Sequence, residues 1–182
     1  MVIVCEGPDN VGKGTQISNI KKYLEEKDKL VHVLHYSSIK GNNIEERSKQ
    51  YYKEMFDLIK FATYNNKNLI FDRAHGGETV YSPIYRNYSG EYVYEIETNF
   101  GNKVLQNCIL FVFIDNPENL IKREDGLSFS VEFEKKQNEI NRFSSFFEKS
   151  NIKNKCLINI DQKSPEQVFE IIKETLNGTN KI

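Results

Sequence analysis

Cysteine is scarce: Cys5, Cys108 and Cys156 are the only three in 182 residues, widely dispersed, each inside a strand-like apolar run. An odd, scattered set excludes a disulfide framework and a zinc site, and reads as small core residues in a reducing compartment. Long apolar runs are also missing. Nowhere do about 18 apolar residues follow one another, the length a membrane span needs, and no basic region with an apolar stretch precedes the first strand. These absences predict a soluble, cytoplasmic chain with no membrane partner. Excess charge of either sign is lacking too: 25 Lys and Arg against 26 Asp and Glu leave a net charge of −1. No global field therefore recruits nucleic acid, and any anion must be bound locally. No Pro- or Ser-rich linker, repeat or low-complexity tract breaks the chain, so residues 1–182 read as one domain with a single sizeable core.

What is present is organised around Gly7-Pro8-Asp9-Asn10-Val11-Gly12-Lys13-Gly14-Thr15. The apolar run Val2 to Cys5 before it reads as a buried strand, and Ile17, Ile20 and Leu24 after it fall at helical spacing. Strand, glycine-bounded loop and helix form the context in which G-x-x-x-x-G-K cradles phosphate. Backbone N–H groups from Gly7 to Thr15, including Asn10, Val11, Gly12 and Gly14, converge on phosphate oxygens, and Lys13 reaches the β- and γ-phosphates. The hydroxyl usual directly after the lysine is replaced by Gly14, with Thr15 one place later.

Further along, Leu30 to Tyr36 reads as a second strand. Ile44, Arg47, Tyr51, Met55, Leu58 and Ala62 line one helical face, which puts Arg47 and Tyr51 inward. Leu69-Ile70-Phe71 is a short apolar run suited to a central parallel strand, and it ends in Asp72-Arg73, where open α/β sheets bind ligands. Ala74 to Arg86 reads as loop plus short helix, with His75 a structural polar residue and with Glu78, Tyr81, Tyr85 and Arg86 available to wall a pocket or to make core or dimer contacts. Ser89 to Lys103 reads as helix, Cys108 to Ile114 as a buried strand, and Pro117 as a helix start. A charged loop at Lys122 to Gly126 follows. Val131 to Glu148 returns to helical spacing with Phe133, Gln137, Ile140, Phe143 or Ser144, and Phe147 on one face, then Cys156 to Ile160 gives a strand and Pro165 opens a closing helix. This alternation predicts an α/β protein, a three-layer α/β/α fold around a five-stranded parallel sheet.

Taken in order, these motifs resemble the thymidylate kinase family of P-loop nucleoside-monophosphate kinases, and the resemblance runs end to end. It is carried by Gly7 with Asp9 two places on, the Asp72-Arg73 pair, Phe113-Ile114-Asp115-Asn116-Pro117-Glu118, the basic Lys122-Arg123, and the final strand and helix. The tract from Phe71 to Arg86 looks like the compact, often phage-encoded members. The resemblance implies transfer of the ATP γ-phosphoryl to dTMP or another deoxynucleoside monophosphate, with Mg2+, a homodimer, and a short lid near residues 122–129. It implies that Lys13 and the loop amides hold ATP, that Arg73 grips the acceptor phosphate, that Asp9 reaches the sugar 3′-hydroxyl, and that Arg123 closes over the transferred group. It places Arg47, Tyr51, Asp72, Glu78 and Tyr81 on the acceptor, and Thr15 and Asp72 at the metal.

The residues alone leave other readings open. Asp9 fits an Asx-turn, Lys122 and Arg123 a solvated helix end, and Tyr51 and Phe56 the core. Two departures stand out. The family's Phe followed four residues later by Arg is absent, since Arg47 precedes Tyr51 and Phe56 is followed by Lys60. Asn10 also stands where some relatives carry a basic residue, which shifts catalytic charge to the lid. A deoxynucleoside kinase and a non-catalytic P-loop nucleotide-binding regulator are the alternative functions. Against a GTPase-type switch, no Asn-Lys-x-Asp tract is present.

Overall fold

Strand β1 (Val2–Glu6) is buried along its whole length. Its period-two alternation sends Val2 and Val4 into one core and Ile3 and Cys5 into another, as expected for the central strand of a sheet covered on both faces. The computed structural model describes residues 1–36, 39 and 41–179. Chain order is β1, α1 (Lys13–Glu25), β2 (Val31–His35), α2 (Ile44–Tyr64), β3 (Asn68–Asp72), α3 (Gly76–Tyr85), α4 (Tyr92–Phe100), α5 (Asn102–Leu105), β4 (Cys108–Ile114), α6 (Pro117–Lys122), α7 (Phe133–Lys149), β5 (Asn154–Asn159) and α8 (Pro165–Thr179).

The five strands form one sheet in the order β2-β3-β1-β4-β5, and every pairing is parallel. Helices α1 and α8 cover one face through Ile20, Leu24, Val168 and Ile172. Helices α2, α3, α4 and α7 cover the other through Tyr52, Met55, Phe56, Val80, Val93 and Phe143. The chain leaves β3 on one side of β1 and returns as β4 on the other. That reversal opens a crevice beyond the carboxyl ends of β1 and β3, where α/β folds bind ligands. No helix of the described residues is long and apolar enough to cross a membrane.

Several elements differ from the sequence expectation. Helix α2 is turned so that Ser48, Tyr52, Met55, Phe56, Ile59 and Ala62 face inward. This stripe carries more apolar surface than the one through Arg47 and Tyr51, so Arg47 is exposed and Tyr51 sits at the rim, its ring 4.7 Å from that of Tyr36. The tract after β3 is a ten-residue helix rather than loop plus short helix. Its opening glycines and internal Pro83 disguise it, but the Thr79 carbonyl that Pro83 has no N–H to reach is taken at 3.4 Å by Nη1 of Arg142. Gly101, with φ 78°, splits the expected helix over 89–103 into α4 and α5. Strand β5 begins at Asn154, two residues before Cys156. In α7 the inward residues are Lys136, Glu139, Ile140, Phe143 and Phe146, while Phe133 is exposed.

Candidate active site

The loop leaving β1 is shaped by its glycines. A Cβ on Gly7, at φ 143°, would fall on the Phe113 carbonyl, so β4 packs against the loop only where there is no side chain. Gly12 takes a left-handed conformation, φ 81°, and α1 starts at the next residue with its first amides open. Lys13 is buried, and its Nζ donates to the carbonyls of Gly7 at 2.7 Å and Pro8 at 2.6 Å. The ammonium thus spans its own loop. Burial, with the nearby Arg73 charge adding to it, pulls the Lys13 pKa down to about 7.

At the end of β3, Arg73 is left-handed at φ 66° although it is not glycine. Its N–H is held 3.0 Å from the Cys5 carbonyl and its guanidinium is paired with Asp9. A left-handed non-glycine residue costs about 1–2 kcal/mol, and such conformations concentrate at functional sites. Burial opposes the charge on Arg73, yet Tyr81 and Asp9 hold its pKa above the ordinary guanidinium value.

Arg73 lines two hollows. One, about 360 Å3, is walled by the carboxylates of Glu6, Asp9 and Glu78, the guanidiniums of Arg73 and Arg86, and the rings of Tyr36, Tyr52, Tyr81 and Phe129. The other, about 270 Å3, is formed by Asn10, Gly12, Lys13, Gly14, Thr15, His35, Asp72 and Arg73. Thr15 and Asp72 share this second hollow, with one Asp72 oxygen 2.9 Å from Nδ1 of His35. Mg2+ takes one or two protein oxygens and completes its shell with water and substrate phosphates. A hydroxyl and a carboxylate beside a phosphate loop fit that requirement. Among the described residues no cluster of three His, Cys, Asp or Glu side chains forms a dedicated metal cage.

Other expected site residues are placed differently. Glu78 lines the larger hollow, but its carboxylate accepts from Tyr88 Oη at 2.6 Å, Tyr92 Oη at 2.8 Å and Arg86 Nη1 at 2.9 Å, so it holds the wall together. Tyr81 lies in that wall. Arg47 and Tyr51 are not in it; Tyr52, one residue along α2, takes the place through the helix rotation described above. Arg123 lines neither hollow: it is paired with Asp115 and donates from Nε to the Asn119 carbonyl at 3.0 Å. What covers the larger hollow from the loop between α6 and α7 is instead Leu127 and Phe129, the latter stacked 4.9 Å from Tyr85. Val11 is buried in the core beneath the phosphate loop.

Sequence reasoning missed Glu6, Tyr52 and Phe129. Glu6 has a visible signal, a carboxylate ending an otherwise apolar strand. It is buried, and its Oε1 accepts from the amides of Ala74 at 3.0 Å, Gly76 at 2.7 Å and Gly77 at 3.3 Å, pinning the start of α3 to the end of β1. Burial holds its pKa above the usual carboxylate range. His75 is fully buried with Nε2 2.6 Å from Oε1 of Glu97, which also accepts from Ser150 Oγ at 2.7 Å, an arrangement that joins α3 to α4 and α7.

No protein-family model matches the sequence, and no curated protein matches it. Among solved structures the chain is similar to the YorR protein of Bacillus subtilis, solved in complex with phosphorylated GDP, with a TM-score of 0.72 and 17% identity over 100% of this chain and 99% of that one. It is also similar to the thymidylate kinase of Candida albicans, with a TM-score of 0.63 and 13% identity over 98% of this chain and 92% of that one. These likenesses identify the architecture as the three-layer α/β/α P-loop kinase fold with a five-stranded parallel sheet.

Proposed function

We propose that this protein is an ATP-dependent nucleoside-monophosphate kinase, transferring the γ-phosphoryl of ATP to dTMP or another deoxynucleoside monophosphate. The observation that carries the reading is the position of Arg73, whose side chain belongs both to the hollow around the phosphate loop and to the aromatic-walled cavity. Phosphoryl transfer asks little covalent chemistry of a protein. It needs two anionic substrates aligned and the charge gathering between them offset. A guanidinium between a donor pocket and an acceptor pocket is suited to that task, with a fork that matches phosphate.

In this reading the donor phosphates displace Lys13 from the Gly7 and Pro8 carbonyls and take its charge. Asp9 holds the Arg73 fork toward the acceptor phosphate. Tyr36, Tyr52, Tyr81 and Phe129 enclose the acceptor, and the loop over 122–129 acts as a lid that excludes water. Arg123 serves as a lid cation only after leaving Asp115. Thr15 and Asp72 would hold Mg2+, which would supply further charge neutralisation. A homodimer, as the resemblance implies, and a cytoplasmic location, as the composition predicts, complete the reading.

The two structural neighbours widen the choice of base, since one is a thymidylate kinase and the other was solved with a guanine nucleotide. The test is ADP release from ATP and Mg2+ with a panel of dTMP, dGMP, dCMP, dAMP, thymidine and deoxyguanosine. Turnover with one or more monophosphates and little with nucleosides is expected. Faster turnover with a nucleoside would make the protein a deoxynucleoside kinase, and nucleotide binding without turnover on any acceptor would make it a regulator.

A further inference from the structure

Helix α7 buries two opposite charges that the proposed reaction does not use. The side chains of Lys136 and Glu139 are fully buried about one helical turn apart, with Nζ of Lys136 3.5 Å from Oε2 of Glu139. Such a pair seldom adds stability, because withdrawing both charges from water costs about as much as their attraction returns, and apolar residues of the same size often do as well. What the pair does provide is an acceptor. Oε1 of Glu139 accepts from the Tyr85 hydroxyl at 2.6 Å, a length typical of an O–H donating to a carboxylate, and such bonds are roughly twice as strong as neutral ones. Burial raises the Glu139 pKa, and the Tyr85 hydroxyl and the Lys136 charge oppose that rise.

Tyr85 is in turn a ring on which the cover of the larger hollow rests. It is the last residue of α3, and Tyr81 lies one turn before it on the same face. The half-exposed ring of Phe129 is stacked on Tyr85, with centroids 4.9 Å and planes 19° apart, and lies 5.3 Å from the ring of Tyr81. Tyr81 and Phe129 belong to the wall of the hollow, whereas Tyr85 and Glu139 do not, so these two reach its occupant through Phe129. We propose that Glu139 is a positioning residue for the acceptor: by holding the Tyr85 hydroxyl it fixes the Phe129 ring over the acceptor cavity, with Lys136 as the counter-charge that keeps the carboxylate in place. Without that bond a tyrosine at a helix end turns about its two side-chain torsions, and Phe129 loses the face on which it stacks. The loss then falls on whatever the cavity encloses. The hollow beside the phosphate loop has none of these residues in its wall and is left unchanged.

The inference rests on the acceptor reading of this cavity, and the experiment separates the two. Steady-state kinetics with ATP against dTMP and dGMP, and amide exchange over residues 127–131 of the ligand-free protein, are measured on the wild type, Tyr85→Phe and two double variants. Lys136→Met/Glu139→Leu and Lys136→Met/Glu139→Gln each remove both charges together, so neither leaves a buried charge unpaired, and both stay close to the native volume. Thermal melting checks that they fold. Of the two, only the glutamine variant keeps an oxygen for the Tyr85 hydroxyl. Tyr85→Phe and the leucine variant should raise the acceptor KM about threefold to tenfold, the affinity lost when a loose side chain must be ordered on binding, and should leave kcat and the KM for ATP within about twofold. Both should also speed exchange over 127–131, while the glutamine variant matches the wild type in KM and in exchange. Like behaviour of the leucine and glutamine variants, a parallel rise in the KM for acceptor and for ATP, or unchanged exchange in Tyr85→Phe overturns the positioning role and leaves the kinase reading standing. Absence of wild-type turnover with any acceptor overturns the kinase reading and the acceptor half of this inference, and the exchange measurement then still accepts or rejects the support that Glu139 gives to Phe129.

Discussion

The side-chain amide of Asn10 donates to Oε2 of Glu124 at 3.0 Å and to Oγ of Ser128 at 3.2 Å, tying the phosphate loop to the loop between α6 and α7. Glu124 also caps its own loop, accepting from the amides of Gly126 at 2.9 Å and Ser128 at 3.2 Å. The loop that leaves β1 and the loop that covers the larger hollow are thereby latched through one neutral side chain. Asn10 itself is left-handed, at φ 65°.

Asn10→Gly removes the latch without backbone strain, since glycine adopts that φ freely. The expected outcome is faster amide hydrogen exchange over residues 123–131 with unchanged protection in β1, β3 and β4, read by mass spectrometry. Thermal stability should move by no more than about 1 kcal/mol, as for a partly exposed polar contact. Unchanged exchange in that loop would show that the latch does not order it.

The latch also marks what the sequence could and could not tell. The glycine-bounded turn from β1 into α1, the place of Asp72-Arg73 at the end of β3 and the five strands were legible because each depends on local chemistry: glycines at a tight strand exit, short apolar runs, a charged pair at a strand end. The wall of the larger cavity was not. Whether Tyr51 or Tyr52 faces inward depends on about 100° of helix rotation per residue, and that is set by packing of Phe56 and Ile59 against β1 and β3, not by the spacing of α2 alone. The resemblance implies that Arg123 closes over the transferred group, while spacing alone does not show that Asp115, eight residues earlier and just past β4, is paired with it. Glu6 escaped notice because a single carboxylate ending a strand looks like a boundary, and its three amide partners come from a segment about 70 residues away.

Lys13→Ala should leave the fold intact and remove activity. Among the described residues the ammonium donates to two loop carbonyls, and the side chain lines the hollow beside that loop and belongs to neither hydrophobic core, so its loss opens no core cavity. Removing a cation from the point where transition-state charge collects typically lowers kcat by about 100- to 1,000-fold. Steady-state kinetics alongside a thermal melt check this; near-normal kcat would remove Lys13 from the phosphate site.

The His75–Glu97 pair gives a pH prediction. Burial alone would raise the Glu97 pKa, but the His75 ring, the Asn151 amide at 2.6 Å and Ser150 Oγ outweigh it and hold the carboxyl below the usual carboxylate range. A carboxylate whose folded pKa lies below its unfolded value contributes stability that is present above the unfolded value, about 4.3, and is lost as pH falls through the folded one. Glu97→Gln should therefore lower stability near neutral pH, by about 1.5–3 kcal/mol as for a hydrogen bond to a charged group. It should also flatten the decline of stability below pH 4.5. Urea melts of both proteins over the acid range measure this, and parallel acid limbs would assign the decline to other groups.

Arg73 separates strain from function. Its left-handed backbone, φ 66°, is held by the N–H to the Cys5 carbonyl, and its guanidinium is paired with Asp9. Arg73→Ala and Arg73→Gly both remove the fork and both leave Asp9 unpaired, so their effects on catalysis should match. Each should raise the KM for the monophosphate acceptor and lower kcat, because positioning is lost along with charge, while ATP affinity barely moves. Their stabilities should not match. Alanine keeps the steric penalty of the left-handed region, whereas glycine relieves it, and the glycine variant should be more stable by about 1 kcal/mol after its greater unfolded-state entropy is counted. Chemical denaturation of the two variants, paired with kinetics on the monophosphate and on its parent nucleoside, decides both halves. If the alanine variant is as stable as the glycine one, the backbone at Arg73 carries no strain. If both variants phosphorylate the monophosphate as the wild type does, Arg73 does not bind the acceptor phosphate, and the proposal that it stands between the two substrates fails.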